Sequence, residues 1–259
     1  MQPKGVALDI NELHKSFGTK VVHRGVSFQL NWGEILGLLG GSGSGKSVIL
    51  RSIIGLEKPD SGSIIFDKKN IVDLSERALF PIRTRISYVF QGGALFDSLS
   101  VEDNLAYPLR EHTQLSELEI LQKVNTALEV VDMKGSNALF PAELSGGMQK
   151  RAGLARATIL SPEIILFDEP TAGLDPINTH RLVHNIKSVK SRGITGIFVT
   201  HDMPVAFEIC DRIAILRQGR IYMIDTVENI QKSTDPFVHS FIRGDDEESP
   251  TSPPLEKNP

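Results

Sequence analysis

The chain has 259 residues, 40% of them apolar and 23% charged, the make-up of one large folded domain or two small ones. Its formal charge of −4 gives no overall basic balance to attract nucleic acid, so no nucleic-acid partner is expected. A single cysteine, Cys210, excludes an intrachain disulfide. The N-terminal stretch lacks the basic-then-apolar order of a signal peptide, and no apolar run approaches the roughly 20 residues of a spanning helix, so work at a membrane is expected to go through a partner.

Up to about residue 67 the pattern is β-rich. Residues 6–13 and 21–30 place apolar among polar positions as strands do, and 35–39 and 63–66 are shorter strands. A glycine-rich turn after residue 39 leads into a helix expected over 46–54, and a strand is expected over 86–90. From about 100 to 159 the character is helical. Ser100 with Asp103, and Ser116 with Glu119, have the spacing of capping boxes. Leu121, Val124, Leu128 and Val131 fall at intervals that put them on one helix face. Beyond residue 161, strand-length apolar runs at 164–167, 196–200 and 213–216 alternate with helical pattern, as at 177–191. That alternation predicts an α/β fold with a mainly parallel sheet covered on both faces. Residues 244–259, with four consecutive acids from Asp245 to Glu248 and four prolines, cannot bury much and are expected to be a disordered tail after a folded domain over 1–243.

Gly40, Gly41, Ser42, Gly43, Ser44, Gly45, Lys46 and Ser47 fit the P-loop pattern between an expected strand and an expected helix. Glycine content alone suits any flexible linker; the fixed spacing, the Lys-Ser pair and the strand–helix context single out phosphate binding. Glycines let backbone N–H groups curl round phosphate oxygens, and the helix start adds a positive dipole end. Lys46 would reach the β- and γ-phosphates of ATP, and the Ser47 hydroxyl would ligate Mg²⁺.

Asp168 and Glu169 directly follow the strand at 164–167. Two adjacent carboxylates there are costly unless something compensates them, and a Mg²⁺ with an attacking water would. Asp168 is then expected to support the metal and Glu169 to be the general base. His201 ends a third strand. A lone histidine is more often structural, but ligands of open α/β sheets sit at the C-terminal strand edge, so His201 is a candidate γ-phosphate sensor.

Leu144, Ser145, Gly146, Gly147, Met148 and Gln149 open another helix, which Ser145 can cap. From physics alone this is an ordinary capped helix. The segment resembles the signature motif of ABC ATPases, and it lies between the P-loop and the strand-end acids as in that family. Gln91 resembles the family's Q-loop glutamine, which touches metal and attacking water. Gly173, Leu174 and Asp175 resemble the D-loop. Phe17 stands where the family places an aromatic stacked on adenine, with simple core packing as the alternative. The resemblance covers about residues 6–225, with a helical subdomain at about 92–160. It implies the ABC ATPase fold, with an antiparallel β subdomain beside the parallel core. It also implies two copies facing head to tail, each ATP held between the P-loop of one and Ser145, Gly146 and Gly147 of the other.

The signature carries Met148 where the family usually has glutamine. With the stretches 90–101, 104–112, 145–151 and 170–176, the chain is similar to the ATPases of the Mla (maintenance of lipid asymmetry, or toluene tolerance) systems. That likeness implies phospholipid transport at the cytoplasmic face of a Gram-negative inner membrane, with a permease and an MCE-domain lipid-binding protein as partners. The alternatives are the motor of a small-solute importer and a soluble ABC protein. The latter usually carries two cassettes, a long coiled coil or a zinc insertion. His180 and His184, four apart on an expected helix, read as a solvated face. Arg110, Glu111 and His112 read equally as a permease contact or a polar loop.

Overall fold

Residues 5–244 are described by a computed structural model; the expected tail, apart from Gly244, lies outside them. Among the described residues ten strands form two sheets. The first is antiparallel, with β1 (Val6–Phe17), β2 (Lys20–Asn31), β4 (Ser61–Phe66) and β5 (Lys69–Asn70) in the order β2-β1-β4-β5. The second contains β3 (Ile35–Gly40), β6 (Ile86–Val89), β7 (Ile164–Asp168), β8 (Thr195–Val199), β9 (Arg212–Arg217) and β10 (Arg220–Thr226). Its order is β10-β9-β3-β8-β7-β6, parallel throughout except for β10 at one edge. The helices are α1 (Lys46–Ile53), α2 (Glu76–Arg83), α3 (Val101–His112), α4 (Glu117–Val130), α5 (Gly146–Thr158), α6 (Pro176–Lys190), α7 (Met203–Ile209), α8 (Val227–Gln231) and α9 (Pro236–Arg243).

The two-residue period of the strands sorts the core into two halves. Leu36, Leu38, Leu166, Ile197, Val199 and Ala214 face α1 and the antiparallel sheet. Ile35, Leu39, Ile165, Phe167, Phe198 and Ile213 face the helical side, where α3 to α7 pack. Each fully buried Leu or Ile contributes roughly 1.5–3 kcal/mol of transfer free energy, so neither face tolerates a polar substitution in the middle strands. Since β3, β8, β7 and β6 are parallel neighbours, their C-terminal ends lie side by side along one edge.

The helix at 117–130 begins with a full capping box: Ser116 Oγ accepts from the Glu119 N–H, and the Glu119 carboxylate accepts from the Ser116 N–H. Its buried face is Ile120, Val124, Leu128 and Val131; Leu121 is 37% exposed. Ile120 and Leu121 are adjacent apolar residues about 100° apart round the helix, and packing against α3 and α5 selects the former. Ser100 Oγ accepts from the Asp103 N–H but donates to the Asp103 carboxylate, so α3 has the cap without the reciprocal backbone bond. Arg110, Glu111 and His112 form the last turn of α3 rather than a loop. Arg110 pairs with Asp103 and Glu117, and the His112 ring packs against Phe80, centroids 5.2 Å apart and planes tilted by 51°. His180 and His184 are exposed on α6.

Candidate active site

The turn after β3 sets the site. Gly40 packs so closely that a Cβ there would lie 2.6 Å from the Leu216 carbonyl oxygen. Gly41 and Gly43 open onto free space, and Gly41, Ser42 and Gly43 are exposed. Gly45 is left-handed (φ 100°) and starts α1 without a side-chain cap. The Lys46 and Ser47 N–H groups therefore remain available at the loop, while that of Val48 turns back to the Gly45 carbonyl. Ser44 Oγ is buried without a hydrogen-bond partner, and Lys46, 6% exposed, spans the loop from beneath, its Nζ donating to the carbonyls of Gly40 at 2.8 Å and Gly41 at 3.1 Å. Burial pulls the Lys46 pKa down, against the raising effect of the Glu169 and Asp168 charges. An orphaned hydroxyl, a desolvated ammonium and an uncapped helix start all fit an incoming polyphosphate.

Across the strand ends, Ser47 Oγ donates to Asp168 Oδ1 at 2.7 Å, and Tyr88 OH donates to Asp168 Oδ2 at 2.7 Å. Burial, with the Asp168 bond adding to it, pushes the Tyr88 pKa well up, so its proton stays on the phenol. Hydroxyl and carboxylate oxygens are the donor set a Mg²⁺ takes beside phosphates. Glu169 is one residue beyond β7 with φ +46°, a conformation that costs a non-glycine residue on the order of 1 kcal/mol. Its N–H donates to the Val199 carbonyl, which anchors the turn, and its Oε2 lies 3.5 Å from His201 Nδ1. Val89 pairs with Phe167 at the ends of β6 and β7, and Gln91, exposed, follows two residues after Val89.

The other motif residues lie apart from this edge. Ser145 caps α5, its Oγ accepting from the Met148 N–H at 3.3 Å. Gly146 is open to solvent, whereas Gly147 abuts Asn178, whose side chain donates to Asp175, the cap of α6. Among the described residues no hydrogen bond joins Ser145 to residues 40–47. Phe17 is 46% exposed at the end of β1, with Lys15 Nζ 4.8 Å from its ring centroid, which removes the core-packing reading. A cavity of about 900 Å³ that includes Trp32, Val130, Ile159 and Ile194 in its lining contains none of these residues.

A model of the family described as "ABC transporter" matches residues 23–172. The chain belongs to the ABC transporter family. As an ABC ATPase it binds and hydrolyses ATP. Over 243 residues, 93% of this chain and 68% of the relative, it is 43% identical to the probable ribonucleotide transport ATP-binding protein mkl of Mycobacterium tuberculosis (strain ATCC 25618 / H37Rv). It is 41% identical to the intermembrane phospholipid transport system ATP-binding protein MlaF of Escherichia coli (strain K12) over 92% of this chain and 88% of that one. The ATP-binding cassette MJ0796, solved as a dimer in a post-hydrolysis state with ADP and Pi, superposes with a TM-score of 0.78 at 30% identity, covering 85% of this chain and 98% of that one. The architecture is thus the ABC ATPase fold.

Tyr88, which holds Asp168, escaped sequence reading, since its hydroxyl sits beside that of Ser87 in a short strand and nothing local marks either one. So did Lys150, 9% exposed, which donates to the Ala172 carbonyl just beyond Glu169, and the close approach of Gly93 to Gly153. That last contact ties the segment carrying Gln91 to the helix that Ser145 caps, since a Cβ on Gly153 would meet the Gly93 carbonyl oxygen at 2.8 Å.

Proposed function

We propose that this ABC ATPase powers phospholipid transport between the inner and outer membranes of a Gram-negative bacterium, docked on a permease at the cytoplasmic face of the inner membrane. An MCE-domain lipid-binding protein is the further partner. The observation that carries this reading is the likeness to MlaF across nearly the whole of both chains. A second reading, a motor for a small solute, takes its support from the name of mkl, which this chain spans to 68% of its length.

In this reading residues 1–243 are one ATPase domain, with residues 92–160 as its helical subdomain. The loop N–H groups and Lys46 hold the phosphates, and Phe17 offers its ring to adenine. Ser47, Asp168 and Gln91 would hold Mg²⁺, which would neutralise charge on the phosphates. Glu169 accepts the proton of the attacking water, and His201 orients toward the γ-phosphate. Ser145, Gly146, Gly147 and Asp175 face the nucleotide of a second copy. Two exposed aromatic pairs, Phe80 with His112 and Phe96 with Tyr107, offer apolar contacts that suit a membrane subunit.

Phe17→Ala is expected to raise the KM for ATP about tenfold with kcat little changed, since base–aromatic stacking is worth roughly 1–3 kcal/mol; steady-state ATPase assays read the split. The function itself is tested by tagging the chain, extracting it from native membranes in mild detergent and identifying co-purifying proteins and lipids by mass spectrometry. A permease, an MCE-domain protein and bound phospholipid are expected. A solute permease without them would overturn the lipid reading in favour of the second.

A further inference from the structure

Behind the phosphate loop sits a histidine to which the nucleotide chemistry gives no part. His23 lies within β2 with no exposed surface. Its Nε2 is 3.1 Å from the Gly45 carbonyl oxygen, a contact that places the ring proton on Nε2. The other nitrogen, Nδ1, is buried without a partner. Such a group costs about 1–3 kcal/mol, which a leucine at this core position would avoid, so the ring's one hydrogen bond is the feature to explain. Burial, foremost, lowers the His23 pKa; the Gly45 bond opposes it and the Lys15 charge adds to it, leaving a neutral imidazole near pH 7.

That bond acts on the loop's geometry. The Gly45 carbonyl also accepts from the N–H groups of Val48 and Ile49. In a planar trans peptide the C=O and the following N–H point in opposite directions. Holding the Gly45 carbonyl toward β2 and the helix therefore aims the Lys46 N–H into the loop. Ring and loop are in direct contact, because a Cβ on residue 45 would lie 2.6 Å from His23 Nε2 and 2.4 Å from Val22 Cγ1. Lys15 is the cross-strand partner of His23, is tied to Glu57 and the Lys58 carbonyl, and reaches the Phe17 ring. One strand pair thus touches both the adenine platform and the phosphate loop.

We propose that His23 is a positioning residue for the nucleotide, its Nε2–H holding the Gly45 carbonyl so that the Lys46 N–H faces the phosphates. This rests on the P-loop reading above. The test titrates the full chain, His23→Phe, His23→Gln and Lys46→Ala with MgATP, alongside thermal melts without nucleotide and kcat at saturating ATP. His23→Phe is expected to weaken binding about tenfold, or 1.4 kcal/mol, with the nucleotide-free melting temperature held and kcat within about twofold. His23→Gln, whose amide N–H can reach the same carbonyl, is expected to stay within about threefold of the unaltered chain. Unweakened binding by a folded His23→Phe would overturn the proposal. So would equal weakening by both variants, which would mark a packing role. If Lys46→Ala bound as tightly as the unaltered chain, the P-loop reading would fall first and the role of His23 with it.

Discussion

Glu169→Gln is expected to keep MgATP binding within about twofold while lowering turnover by roughly 10²–10³-fold, about 3–4 kcal/mol of transition-state stabilisation. Glutamine has the shape of glutamate but cannot take the proton of an attacking water. The backbone geometry that aims the side chain, φ +46° with the N–H tied to the Val199 carbonyl, does not depend on the charge, so binding is spared. Steady-state ATPase assays beside a fluorescent-nucleotide titration separate the two effects. Normal turnover in this variant would remove Glu169 as the base and leave the Glu169–His201 contact a structural one.

Ser145→Arg is expected to reduce ATPase activity to below about 1% while MgATP binding by the single chain stays within about twofold. The substitution loses a helix cap worth about 1 kcal/mol, too little to unfold the domain. It also sets a long cation on an exposed helix start that, among the described residues, makes no hydrogen bond to residues 40–47. Its effect therefore falls on whatever surface completes the neighbour's site. Activity assays and the nucleotide titration, run on the same preparation, check both halves; full turnover would mean that Ser145 completes no second site.

The parts that were legible in the residues are those written locally. The phosphate loop is a fixed spacing within eight positions, and Asp168 and Glu169 announce themselves as acids at the end of an apolar run. The α4 capping box needs only Ser116 and Glu119. What stayed hidden depends on neighbours distant in the chain. β1 runs on through His14, Lys15 and Ser16 to Phe17 because β2 supplies its ladder, not because those residues are apolar. β10 is an edge strand, with only moderately buried residues and little pattern of its own. The Tyr88–Asp168 bond spans 80 residues and the His23–Gly45 bond joins two sheets' worth of structure, so neither leaves a spacing to read. Leu121 shows the remaining gap: periodicity finds a helix, but the packing partner decides which of two adjacent apolar residues is buried.

The central claim, that two copies of this chain complete one another's nucleotide sites through Ser145, is tested most directly by the solution mass of Glu169→Gln with and without MgATP, measured by size exclusion with light scattering. The predicted result is a two-chain mass only with MgATP, reverting to one chain when Ser145→Arg is added. A Glu169→Gln protein that stays a single chain while saturated with nucleotide, or a dimer indifferent to Ser145→Arg, would contradict it.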